Sequence, residues 1–514
     1  MFVIIKMKLL NMKKYISEVG LIVVLLFTIT GCKKFITKEI VGDYPESEFY
    51  KTEAQAILAI NAAYQPLAFT NANNNRLWVF GDVASDDAVK GGIAGDQADI
   101  ELIDQFNITP INGNLEATWP LLYEGITRCN IVLKKVPDIN MDAAKKLRIL
   151  AEAKFLRAWY YFTLVNIFGD VPVILEPKNA ADLQIAQSPV SEIFATVIEP
   201  DLADASANLP DKYSGADVGR VTNGAATALL AKAYLFQSKW NNAAITAAKI
   251  INSNKYTLNP FYSRNFNANF KNNNNSESIF EIQHLTGQDP QTGNQLNQYF
   301  APQVNAGYFF NAPTQNFVDE FEKTAGGVYD PRLDYTVGRD SMPWYNGEIF
   351  KKDWSPATGY LTKKHQQPLS EISKALKGDG SINYIAIRYA DVLLWNAEAL
   401  NELGRTQEAL VPLNQVRKRA RQSYLYDNSL IGYPNIPPNL LPDVTSTNQS
   451  DVRKAIQHER RVELGFEFHR FFDLIRWGEA YAKQALQDKP NFNYTKHKYF
   501  PIPQSERDRN KALH

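Results

Sequence analysis

The densest ionisable chemistry lies late in the chain, in DVRKAIQHERRVELGFEFHRFFDLIRWG (451–478), where Glu459, Glu463 and Glu467 alternate with Arg460, Arg461 and Arg470. Carboxylates of this kind could serve as catalytic acids. Their neighbours point to a different role. Arg460–Glu463, Glu467–Arg470 and Arg470–Asp473 fall three positions apart, within pairing reach along a helix. Phe466, Phe468, Phe471, Phe472, Leu474, Ile475 and Trp477 leave no wholly polar face. Such a helix must be buried, and buried charge must be paired. The stretch therefore predicts a helix over 451–478, N-capped by Asp451 and free of proline, acting as an ion-pair core against which other helices dock.

Other chemistry is sparse. There is no Walker loop, no G-x-S-x-G and no H-E-x-x-H. The six histidines, at 284, 365, 458, 469, 497 and 514, have no metal-ligand spacing. Asp86, Asp87, Asp96 and Asp99 lack EF-hand spacing and read as solvated loop carboxylates. Neither a metal nor a cofactor is expected. Lys+Arg and Asp+Glu both number 55 in 514 residues, so no net field draws nucleic acid. Two cysteines, Cys32 and Cys129, cannot build a disulfide framework, and Cys129 reads as a small core hydrophobe.

The elements that must position these residues are helices. Segments 53–69, 119–136 and 145–168 carry apolar residues at helical spacing, the last stopping at Gly169 with Pro172 beyond. Two later segments share offsets: Ala231, Tyr234 and Ala243 in one, Ala397, Leu400 and Ala409 in the other, the latter continued by Leu413 and Val416. A small residue, a large one three positions on and a small one nine further on are tetratricopeptide offsets, in which small residues let two helices of a hairpin approach closely. Residues 88–115 are rich in Gly and Asn and read as a long surface loop. From 256 to 384 periodicity fades while aromatics stay frequent, which marks a loop-rich insertion. The expected fold class is all-α, a tetratricopeptide-like hairpin scaffold over 46–255 and 385–514 with the insertion at 256–384.

At the N-terminus, Lys13 and Lys14 precede the apolar run LIVVLLF (21–27), too short to span a bilayer, and the segment ends in ITGC (29–32). Residues 1–31 read as a lipoprotein signal peptide, Cys32 as the lipidated residue and 32–45 as a tether. Lys33 and Lys34 follow the cysteine where many surface lipoproteins carry acidic residues.

The segment HERRVELGFEFHRFFDLIRWG (458–478) resembles the signature of the SusD/RagB family, the nutrient-binding outer-membrane lipoproteins of Bacteroidetes. FLRAWYYF (155–162) with LVNIFGDVP (164–172), APTQ (312–315), FVDEF (317–321), DPRL (330–333), RYAD (388–391) and YFPIPQSE (499–506) extend the resemblance along nearly the whole chain, in the family's order. The family's usual terminal glutamine-asparagine-proline-glycine-tyrosine run is missing after Asn510.

That resemblance implies a lipid-anchored protein of the outer membrane, at the cell surface. Such a protein captures an oligosaccharide and delivers it to a SusC-like TonB-dependent transporter. It also implies a binding protein and not an enzyme. In the family, glycans lie on a surface formed by the loop after the first helices and by the insertion, here 78–115 with 299–354. Sugars offer hydroxyl groups and apolar ring faces, so aromatic planes edged by polar groups are the chemistry to look for. Arg76, Trp78 and Asp96 in or beside the first region, and Tyr308, Trp344, Tyr345 and Trp354 in the second, are the expected contacts. These aromatics sit among Gly, Asn and Pro rather than at helical core spacing, which predicts exposure. An all-α carbohydrate-active enzyme and a repeat adaptor for a peptide or protein remain as alternatives.

Overall fold

Several helices start at a side-chain cap, and two helical hairpins close on buried alanines. In the computed structural model, which describes residues 49–68, 76–179, 182–266, 273–288, 292–345, 347–366 and 378–514, the Thr52, Asp142 and Thr222 side chains each accept from the backbone N–H three positions on. The helices that build the scaffold and flank the site are α1 (Glu53–Tyr64), α2 (Ala98–Asp104), α3 (Gly113–Lys135), α4 (Ala143–Phe168), α5 (Glu199–Asn208), α6 (Asn223–Phe236), α7 (Trp240–Asn252), α8 (Tyr389–Glu402), α9 (Thr406–Gln422), α10 (Gln449–Leu464) and α11 (Arg470–Arg476).

The scaffold is all-α and tetratricopeptide-like. α1 packs on α3, α3 on α4, α4 on α5, α5 on α6, α6 on α7, α7 on α8, and α8 on both α9 and α10. Ala231 and Ala243 of the α6–α7 hairpin, and Ala397 and Ala409 of the α8–α9 hairpin, are fully buried, as the offsets predict. Ser238 and Gly404 turn these hairpins with positive φ. Cys129 lies buried on α3. Lys51–His514 forms one compact unit, and no helix among the described residues is long and apolar enough to cross a membrane. The signal peptide, Cys32 and the whole tether lie outside the described residues.

Strands are few and act as staples between distant segments. The strands β1 (Ala88–Gly91), β2 (Ser278–Ile282), β3 (Phe310–Pro313), β4 (Val337–Gly338), β5 (Leu361–Thr362) and β6 (Tyr384–Arg388) form three antiparallel pairs, β1–β3, β2–β6 and β4–β5. The β2–β6 pair joins the first part of the insertion to the strand that leads into α8. The β1–β3 pair joins the segment after α1 to the middle of the insertion.

Three expectations are corrected. Residues 88–115 are not one loop; they contain β1, α2 and the start of α3. The 451–478 stretch is not one helix. α10 is capped by Asn448, whose side chain accepts from Ser450 N and Asp451 N, and it ends at Gly465. A Cβ at 465 would lie 2.3 Å from the Phe317 ring, so only glycine admits that approach. Phe466 and Phe468 then take φ of 63° and 70°, which turns the chain before α11 begins. Finally, Asp86 and Asp87 are buried rather than solvated.

Candidate functional site

α10 and the turn after it carry an ion-pair hub whose partners come from elsewhere in the fold. Glu463 Oε2 accepts from Arg332 Nη1 at 2.9 Å, and its Oε1 accepts from Arg388 Nη1 at 2.6 Å and from Arg419. Glu467 accepts from Arg388 Nε at 2.7 Å and Lys364 Nζ at 2.8 Å. Glu459 accepts from Arg332 and Arg417. Arg460 reaches Asp391 and Asp473, and Arg470 grips Asp86 through Nε and Nη2. The buried network is as the sequence predicts, but its pairs are not the three-apart neighbours. Arg332 and Lys364 belong to the insertion, Arg388 and Arg419 to the scaffold, so the hub locks one to the other.

Electrostatics follow from this geometry. Burial would raise the Glu463 carboxyl, but Arg419, Arg388 and Arg332 overcome it and hold the group well below the usual carboxylate range. Burial pulls the Lys364 ammonium down to about 8 against the attraction of Glu467. All six carboxylate oxygens of Glu459, Glu463 and Glu467 face a cation. None is a free acid for catalysis. Among the described residues no group of three His, Cys, Asp or Glu could hold a metal ion.

The hub positions a second feature. Where β1 meets β3, Gly92 N donates to Phe309 O at 3.0 Å. Gly92 has φ of 68°, and a Cβ there would lie 2.3 Å from the Phe310 ring. This close approach sets Phe310 inside an aromatic stack. Trp78 and Phe310 are stacked at 6.1 Å, and Tyr299 and Phe310 at 6.2 Å. Tyr308 meets Tyr299 edge-on at 5.7 Å. The stack grades outward: Trp78 is 2% exposed and Tyr308 is 42% exposed. Its rim is a turn pinned by Lys90, whose Nζ donates to Asp96 O at 2.8 Å and Ile93 O at 3.3 Å.

The structure thus brings the two candidate regions together and sorts the candidate residues. Tyr308 and Asp96 are exposed. Arg76 is half-buried; Nη1 donates to Asn114 Oδ1, and Nε has no hydrogen-bond partner among the described residues. The expected exposure of Trp78 is corrected, because its ring is covered by Phe300, Phe310 and Tyr299. That of Trp344 is corrected too: it is 6% exposed and forms a core cluster with Phe309, Phe350 and Leu361. Tyr345 and Trp354 pack against that cluster and stay half-buried, the Tyr345 hydroxyl donating to Lys363 O. Phe309 ties the two aromatic groups, lying in the chain between Tyr308 and Phe310.

Sequence reasoning missed Tyr299, Phe310 and the bridge from Asn305 Nδ2 to Glu348 Oε2 at 3.4 Å, which joins two exposed turns. It also missed Asp86 and Asp87 as partners of Arg470 and Arg461. No local signal marks Asp86 and Asp87, since Arg470 and Arg461 lie hundreds of positions away.

The comparisons agree along the chain. A family described as the SusD family matches residues 276–514, and one described as starch-binding, associating with outer membrane, matches 42–235. SusD-like protein P2 of Formosa agariphila is 29% identical over 98% of this chain and 99% of its own. Among solved structures, a laminarin binding SusD-like protein is 30% identical with a TM-score of 0.75, covering 90% of this chain and 99% of that one. Surface glycan-binding protein A from Bacteroides uniformis is 25% identical with a TM-score of 0.73, covering 90% of this chain and 99% of that one. With the hairpin scaffold and the central signature in place, the chain belongs to the SusD/RagB family.

Proposed function

We propose that this protein is a glycan-binding lipoprotein of the outer membrane that captures an oligosaccharide and passes it to a SusC-like TonB-dependent transporter. The observation that carries the reading is the graded aromatic stack at the β1–β3 junction, with Tyr308 exposed at its outer end. Tyr308 stacks on a sugar ring, while Asp96 and Arg76 meet hydroxyl groups at its edge. Tyr345 and Trp354 extend the surface, and Trp78 and Trp344 brace it from below. The names of two similar structures, laminarin binding and surface glycan-binding, support the ligand class. The family described as associating with outer membrane supports the location, and the Cys32 lipobox supports the anchor. Binding is favoured over hydrolysis because the carboxylates of the central helix are saturated by cations.

Calorimetry with laminarin and starch oligosaccharides tests the site. Loss of one stacking ring is worth roughly 1 kcal/mol, so Tyr308→Ala weakens binding several-fold with an unchanged melting temperature. Equal affinity in the variant would place the site elsewhere. Recovery of the transporter with the protein from detergent-solubilised outer membranes tests the partnership.

A further inference from the structure

Two adjoining grooves run along the scaffold on residues the glycan shelf does not use. One, of about 520 Å³, is lined by Tyr213, Thr222, Tyr256, Asn274 and Ser278 among others. The other, of about 370 Å³, is lined by Asn61, Tyr64, Gln65, Gln283 and Thr292 among others. They share Val218, Gly219, Arg220, Phe280 and Glu281, so they form one channel along β2. Sites for small ligands span roughly 300–1,000 Å³, and either groove falls in that range.

The charges in the walls cancel. Arg220 is held by Asp217 at 2.6 Å and Glu152 at 3.0 Å, and it donates to Asn61 Oδ1 at 2.7 Å. Lys255 pairs with Asp211 at 2.6 Å. Glu281 accepts from Asn274 N and Asn383 Nδ2, and burial raises its carboxyl toward the neutral form. Lys212 and Glu281, one of each sign, are the lining charges without an ion pair among the described residues. A channel so neutralised favours an uncharged occupant. Its remaining chemistry is tyrosine rings beside amides and hydroxyls. The Tyr213 hydroxyl is buried and has no hydrogen-bond partner among the described residues, which leaves one polar group in the wall unanswered.

We propose that this channel is a second oligosaccharide site for neutral sugars, with Tyr213 as a hydrogen-bonding contact and the rings of Tyr213 and Tyr256 as its apolar wall. The proposal deepens the glycan-binding reading and rests on it. A neutral glycan uses both kinds of lining at once, its ring faces against aromatics and its hydroxyl groups against the orphaned phenol and the amides. Two sites on one chain would hold a long glycan at separate points and raise its effective local concentration.

Calorimetry with laminarin oligosaccharides on the full soluble domain decides it. In Tyr308→Ala, which weakens the shelf several-fold, a second saturable binding phase with its wild-type affinity is expected to survive. Adding Val218→Trp, at a position 49% exposed where the new ring fills the channel, should weaken that phase about tenfold or more. Tyr213→Phe, which removes only the hydroxyl, should weaken it several-fold. If Tyr308→Ala alone abolishes all binding, the second site is overturned and the shelf stands. If Val218→Trp and Tyr213→Phe both leave the surviving phase unchanged, the channel is not the site. If Val218→Trp abolishes all binding while Tyr308→Ala changes none, the channel stands and the shelf reading falls.

Discussion

Arg461 donates from Nε to Asp87 Oδ1 at 2.7 Å, joining positions 374 apart in the chain. The same guanidinium lies 3.1 Å from Asp86 and 2.8 Å from Glu320. α10 therefore holds the segment that leads into β1, and with it the inner end of the aromatic stack. Removing one partner of a buried pair leaves a charge unanswered, at about 3–5 kcal/mol. Arg461→Ala and Asp87→Ala are each expected to destabilise on that scale, and the double variant by clearly less than their sum. Urea unfolding of the four proteins measures the coupling; additive losses would mean the pair contributes nothing specific.

How much of this was legible depends on distance in the chain. The hairpins were, because Ala231, Ala243, Ala397 and Ala409 express the packing rule within one local repeat. The buried ionic character of α10 was also legible from its own residues. Its partners were not, since Asp87, Arg332 and Arg388 reach Arg461 and Glu463 only through the tertiary fold. The break at Gly465 had no local mark either. What forbids a side chain there is the ring of Phe317, far earlier in the chain. For the candidate site, the resemblance pointed to two regions that the fold brings together, but composition could not say which way each ring faces. Trp78 and Trp344 lie among turn formers and still pack inward, because a loop of this size needs apolar residues beneath it.

Glu463 is the sharpest stability test. It joins Arg332 of the insertion to Arg388 and Arg419 of the scaffold. Glu463→Ala leaves three guanidinium groups short of an acceptor and should cost about 3–5 kcal/mol. Glu463→Gln keeps the shape but loses the charge, and should recover only part of that. Thermal and urea unfolding of both variants check the order; an unchanged melting temperature in Glu463→Ala would sink the role given to the hub.

Acid should unlock the same network. Glu463, Glu467 and Asp86 have carboxyls held below their ordinary range despite burial, by the guanidinium groups around them and, for Glu467, also by the Lys364 ammonium; for Asp86 the value is about 2. Unfolded carboxyls titrate near about 4. Between these limits the unfolded chain binds more protons than the folded one, so stability falls as pH falls. The contribution is present above about pH 4 and drains away towards about pH 2. Unfolding free energies measured from pH 6 to 2 should show this decline, and Glu463→Gln should make it shallower. A flat profile over that range would contradict the assignment.

The membrane anchor is tested at Cys32. In cells, Cys32→Ala is expected to leave the membrane fraction and appear in the soluble fraction after detergent partitioning, with its ligand affinity intact. Multiple acyl chains are needed for stable anchoring, so if Cys32 carries them, as proposed, its loss removes the whole attachment. A variant that still partitions with membranes would place the anchor elsewhere.

Trp344 separates support from contact. Its ring packs on Phe350 at 5.2 Å and Tyr345 at 5.1 Å, and its cluster includes Phe309, the neighbour of Tyr308. Truncating a buried Trp or Phe to Ala typically costs about 3–5 kcal/mol. Trp344→Ala is therefore expected to lower stability on that scale, whereas Tyr308→Ala should leave it unchanged. The effect of Trp344→Ala on glycan binding would come through Phe309, by loosening the strand that presents Tyr308. Affinity should then recover when the repacking variant Trp344→Phe restores a ring to the cluster. Unfolding curves read beside calorimetry on Trp344→Ala, Trp344→Phe and Tyr308→Ala give the decision. A stable Trp344→Ala that loses all binding would make Trp344 itself the contact and the support role wrong.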